Sequence, residues 1–154
     1  MKKYAAEHIL YTLIQWTWGI VQNSLGLLIW ILLSIVNPKR RRGYYHGAIL
    51  THWAFPFSMG LGMFIFYGHG DKEESYAKSV LVHEYGHTLQ SCLLGPLFMP
   101  VIAIPSCVWA FTPAFVRGRK AGRWTYFDLY AESWANKWGE KVLHMPAPSR
   151  TSEG

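Results

Sequence analysis

The chain has 154 residues, 15 basic and 9 acidic, of which 51% are apolar, 16% aromatic and only two cysteine. That is the length of one domain; so large an apolar share excludes an intrinsically disordered chain, and two cysteines exclude a disulfide scaffold. Charge is confined to islands, because segments 9–36, 43–70 and 88–116 contain no Asp, Glu, Lys or Arg. A water-soluble domain carries charge on the outer face of nearly every element, so these runs predict surface that faces lipid.

The first run is long enough to cross a bilayer, which takes about 20 residues. It reads as an N-terminal transmembrane helix rather than a cleavable signal, whose apolar stretch is shorter. His8, Thr12, Gln15, Gly19, Gln22 and Gly26 recur at intervals of three and four, with Asn23 beside Gln22. On a helix they form one stripe turned toward protein, leaving Leu, Ile and Trp for lipid. The basic residues 39–42 outweigh Lys2 and Lys3, which places that end in the cytoplasm. Segments 44–53 and 59–66 read as the strands of a short β-hairpin. His46 and His52 then share a strand face and have core or hydrogen-bonding roles. Gly68, Gly70 and Asp71 mark a turn into a helix over about 72–94.

In the third run, Pro96, Pro100, Pro105 and Pro113 forbid one straight span. A reversal near 100–105 makes it a re-entrant apolar hairpin, with Cys92 and Cys107 as packing residues. A last helix is expected over about 125–143 and a disordered tail over 146–154. The predicted architecture is a single α+β, membrane-associated domain over residues 1–145.

The chemistry concentrates in His83-Glu84-Tyr85-Gly86-His87, an HExxH sequence in a helix-forming stretch. Histidines at i and i+4 lie on one helix face, so both imidazoles can reach one ion, while Glu84 can hold a water without ligating. Imidazole suits Zn²⁺, and a catalytic zinc site takes three protein ligands and an open position. Glu132 on the last helix supplies a carboxylate, and Asn136 shares its face one turn later, from where its carbonyl can fix an imidazole tautomer.

HExxH followed by Glu132-Ser133-Trp134-Ala135-Asn136 resembles the gluzincin type of zinc metallopeptidase, and a small membrane-embedded member in particular. The resemblance implies His83, His87 and Glu132 as Zn²⁺ ligands and Glu84 as general base and acid in endopeptidase chemistry. It also implies an edge strand within 44–66 that binds an extended peptide by β-augmentation. The oxyanion-stabilising group that the resemblance calls for has three candidates by type: Tyr126, His69 and His144. The position of His144 near the end of the last helix suits a capping cation better.

The expected partners are a peptide or membrane-protein substrate and the lipid bilayer, with the site on the cytoplasmic side. Nucleic acid is not expected: the cations edge uncharged segments and belong to no known binding fold. An intramembrane hydrolase of another type also uses HExxH but takes its third ligand, an Asp, from a distant membrane helix; Asp128 is the only Asp downstream and lacks that context. The alternative to catalysis is a zinc-stabilised membrane binding protein.

Overall fold

The computed structural model describes residues 2–68 and 73–148, with side chains from residue 7 onward. The first apolar run is two helices rather than one span. Helix α1 (Lys2–Thr17) and α2 (Ile20–Val36) meet at Trp18 and Gly19 with a bend of 95°. Glycine leaves room there for the Gln15 and Gln22 side chains, on which a Cβ at position 19 would press. These two glutamines explain the elbow. Gln15 Nε2 donates to the Thr88 carbonyl at 3.0 Å and Gln15 Oε1 accepts from Ser91 at 2.9 Å; Gln22 Nε2 donates to Ser91 Oγ at 2.8 Å and to the Gly95 carbonyl at 3.0 Å. The polar stripe thus faces protein, fully buried at Gln15, Gln22 and Asn23. The targets of the two glutamines are Thr88 and Ser91 in the last two turns of the next long helix and Gly95 at that helix's end.

Each strand segment expected from the sequence is itself a hairpin. Strands β1 (Arg42–Tyr45) and β2 (Ala48–His52) join through His46 and Gly47, both at positive φ, a tight turn that takes His46 out of the strand and off the face of His52. Strands β3 (Met59–Leu61) and β4 (Phe64–Tyr67) join through Gly62, also at positive φ, where Asn23 Oδ1 accepts the Met63 N–H at 2.9 Å. The four make one mixed sheet of order β1-β2-β4-β3, with β2 and β4 parallel and the outer pairs antiparallel. Strand β4 is buried throughout because both its faces are covered. Phe64 and Phe66 pack on Leu27, Trp30 and Leu33 of α2, while Ile65 packs with Tyr85 and Leu81 of α3 (Glu74–Leu94).

Beyond α3 the chain reverses earlier than expected. Gly95 adopts a φ of 54°, and the axis turns by 119° between Glu74–Leu97 and Met99–Phe111. Pro100 lies in the wide turn Met99–Ala103 and Pro105 in the first turn of α4 (Ile104–Phe111), while Pro113 opens α5 (Pro113–Lys120). A proline at a helix start gives up no hydrogen bond, so Pro105 and Pro113 begin helices instead of breaking one. The last helix, α6 (Tyr130–Leu143), is shorter than expected: Thr125 and Asp128 form a capping box on a separate short turn, and Leu129 is extended. Of the tail, Ala147 is buried, with its N–H donated to Glu140 at 3.0 Å. Residues 149–154 lie outside the described set.

Among the described residues the architecture is α+β, with six α-helices and a small mixed sheet. Among the described residues no single helix is long and apolar enough to cross a membrane, although the two bent pairs reach that length and composition together.

Candidate metal centre

Helices α3 and α6 carry the candidate ligands, and small residues let them approach. A Cβ on Gly86 would overlap the Ala135 carbonyl and one on Gly139 would overlap that of Val82. Ala131 and Ala135 are fully buried in the same contact. With Gly139 they repeat every fourth residue along one face of α6, the spacing that brings helix backbones together.

This approach delivers Glu132, fully buried, to the HExxH face of α3. Glu132 Oε2 stands 3.0 Å from His83 Nε2 and 3.4 Å from His87 Nε2. Ligands about 2.1 Å from a tetrahedral ion lie roughly 3.3–3.4 Å from one another, so the spacing suits a shared ion. The ligating atoms of His83, His87 and Glu132 all lie within 4.8 Å of one another, and the three residues can hold a metal ion.

The far side of each imidazole is fixed by an amide. His83 Nδ1 is 2.6 Å from Asn136 Oδ1, and His87 Nδ1 is 2.7 Å from Gln90 Oε1. Both amides are oriented by groups that can only accept: Asn136 Nδ2 donates to the Pro148 carbonyl at 3.0 Å and Gln90 Nε2 to that of Ala131 at 2.9 Å. Each amide therefore presents its oxygen to the ring, each Nδ1 donates, and each Nε2 turns a lone pair to the centre when the ring is neutral.

Glu84 lies beside this group and lines the same cavity. It is almost fully buried, and burial raises its carboxyl above the usual range against the lowering pull of His83, His87 and the Gly60 N–H. Glu84 Oε2 and Glu132 Oε1 find no hydrogen-bond partner among the described residues. Two unpaired buried carboxylate oxygens are costly unless a cation or water meets them, which fits a metal site. Burial alone would raise Glu132, but the imidazoles outweigh it and hold the carboxyl below its usual range. Burial likewise lowers His87, yet the Glu132 charge beside it pushes the ring up to about 9.

Comparison with protein-family models, curated proteins and solved structures finds no match to this chain. The site is read from its own geometry.

Tyr126 lines the cavity, its phenol facing Glu132 and held well above the ordinary tyrosine range by burial and by the Glu132 and Glu84 carboxylates. His144 is the left-handed C-cap of α6 and lies outside the cavity lining; His69 lies outside the described residues. Asp128 is not part of the group, and its Oδ2 accepts the Thr125 N–H at 2.6 Å. Cys107 is exposed on the cavity lip rather than packed inside. The edge strand beside the centre is β3, whose Gly60 lies so close to α3 that a Cβ would meet the Glu84 carbonyl. Gln90 and the helix-contact glycines were not singled out from sequence. Their signals are present in it, three residues beyond His87 and inside the motif itself.

Proposed function

We propose that the chain is a zinc-dependent hydrolase of peptide bonds in peptides or membrane proteins, of the gluzincin type, acting at a membrane with its site on the cytoplasmic side. The observation that carries this reading is the convergence of His83, His87 and Glu132, with one carboxylate oxygen of Glu84, Oε2, left without a hydrogen-bond partner beside them. Two imidazoles and one carboxylate are a zinc ligand set that leaves a position open. Zn²⁺ held there would polarise a scissile carbonyl and make water acidic enough to attack near neutral pH.

The chain's own groups supply the remaining steps. Glu84 takes the proton from the attacking water and returns it to the leaving amine; its raised pKa favours holding that proton between the two events. Tyr126, kept protonated, donates toward the oxygen that gains negative charge. Backbone along the outer edge of β3, beside the Gly60 N–H that Glu84 accepts, aligns an extended peptide across the cavity. Membrane placement rests on the uncharged runs and the basic segments 39–42 and 117–123 that border them.

Metal analysis of detergent-purified protein tests the centre. Wild type is expected to retain about one zinc per chain and Glu132→Ala to lose it; equal zinc in the two, or iron in place of zinc, would overturn the reading. Glu84→Gln separates hydrolysis from a purely structural zinc. It should keep the metal while peptide cleavage falls roughly 10²–10⁴-fold, and unchanged cleavage would reject the role of Glu84.

A further inference from the structure

Much of the cavity wall is one side of a helix, apolar except for Ser106, whose other side is bare. The cavity has a volume of about 340 Å³. Helix α4 and the turn before it present Ile102, Ala103 and Ala110 to it, while Ile104 and Val108 stay 55% and 48% exposed. Cys107 and Phe111 belong to both surfaces, lining the cavity while exposed; Phe111 is 59% exposed and its ring meets Phe57 edge-on at 5.4 Å. The opposite lip is different. Tyr76 lines it from α3, in the exposed first turns that also carry the Glu74–Lys78 ion pair, two residues to either side of it. The mouth therefore has one oily lip and one watery lip.

The oily side continues outward. Leu93 and Leu97 are exposed at the α3 elbow, and α2, which packs on the next turn through Ile29, exposes Leu28, Ile31, Leu32 and Ile35. No carboxylate occurs between Glu84 and Asp128 or between Glu7 and Asp71, whereas Arg117, Lys120 and Arg123 follow α4 directly. An apolar face bordered by cations and lacking acids is complementary to an anionic bilayer, with apolar side chains among the acyl chains and cations at the headgroups.

We propose that this face seats the protein in an anionic lipid surface, and that the cavity receives its substrate from the lipid side. The substrate class is an apolar segment of a membrane-resident polypeptide, sliding past Phe111 and Phe57 so that its backbone reaches the ligands. The substrate assignment rests on the hydrolase reading; the lipid seat does not.

The test uses the full chain carrying Cys92→Ala, so that Cys107 is the single thiol. A bimane label on Cys107 should lose emission in phosphatidylcholine–phosphatidylglycerol vesicles with brominated acyl chains. The same label on Ser75→Cys in a Cys92→Ala, Cys107→Ala background should not. Replacing Arg117, Lys120 and Arg123 together by Gln should weaken vesicle binding roughly a hundredfold; Arg119 is left in place because it caps α4 through the Trp109 and Ala110 carbonyls. Unquenched Cys107, or Cys107 shielded by a second copy of the chain, would overturn the lipid seat even if zinc and cleavage of soluble peptides persist. A zinc-loaded protein that cleaves a soluble polar peptide faster than a vesicle-embedded apolar one would overturn the substrate class alone. Quenching without any metal-dependent cleavage would reject the hydrolase reading and the substrate class with it, leaving the seat in place.

Discussion

Asn136 and Gln90 govern which nitrogen of each imidazole faces the centre. Both act through carbonyl oxygens held by backbone acceptors, so replacing either by Ala removes the proton acceptor that selects the Nδ1–H tautomer. Losses of this kind weaken metal binding by about 10–100-fold. Asn136→Ala is expected to lower zinc affinity by that amount in competition with a chromogenic chelator. Asn136→Asp, which keeps an accepting oxygen 2.6 Å from the ring nitrogen, should restore most of it. Unchanged affinity in Asn136→Ala would show that the ring orientation is set by packing, for which Phe127, 5.4 Å from His83 and edge-on, is the available neighbour.

For the helices, backbone distance matters more than side-chain chemistry. Gly86 lies inside the motif between Glu84 and His87, yet its role is toward α6, where any Cβ would enter the Ala135 carbonyl. Gly86→Ala improves intrinsic helix propensity by up to about 1 kcal/mol, but a methyl forced against backbone in a packed contact costs about 1–3 kcal/mol and occasionally more. The clash wins, because neither helix has a flexible side chain there to yield. The variant is expected to melt at lower temperature and to lose zinc, since moving α6 outward carries Glu132 from the imidazoles. Ser133→Ala, on α6 but outside the fully buried contact, should change neither.

For the molecule as a whole, the metal centre couples folding to zinc and to pH. Ligand that binds only the folded state stabilises it by about 4 kcal/mol at a thousandfold excess over Kd. A chelator should therefore lower the melting temperature of wild type and leave Glu132→Ala unaffected. Without metal, His87 titrates near 9 instead of the usual 6.5, so the ring is protonated at neutral pH. Zinc requires the neutral ring, and loading should release about one proton per chain at pH 7, read as acidification of a weakly buffered solution. The sign for the metal-free protein follows from the raised pKa. The contribution of His87 protonation to stability is fully present below pH 6.5 and is lost as pH rises through about 9. Glu132 has the opposite sense: its carboxyl is depressed, so its contribution is present above the ordinary carboxylate pKa of 4.5 and fades as pH falls below it. Zinc affinity should rise over the pH range where metal-free stability declines.

What the sequence determined by itself is chemistry written at short range. The pairing of His83 with His87, the position of Glu84 beside them, the shared face of Glu132 and Asn136, and the polar stripe of α1 and α2 all follow from helical periodicity, which neighbouring residues encode. The α+β class was legible for the same reason. Tertiary structure decided whatever depends on partners distant in the chain. The first run bends because Gln15 and Gln22 reach the end of α3, and periodicity within one segment carries no record of that. Four strands form where two were expected, because turns at Gly47 and Gly62 fold each segment back and let β4 bury both faces between α2 and α3. Burial of backbone and apolar surface against remote elements overrode local pattern. The same remote packing, through Gly86, Ala135 and Gly139, brought a carboxylate 45 residues away within 3.4 Å of both imidazoles.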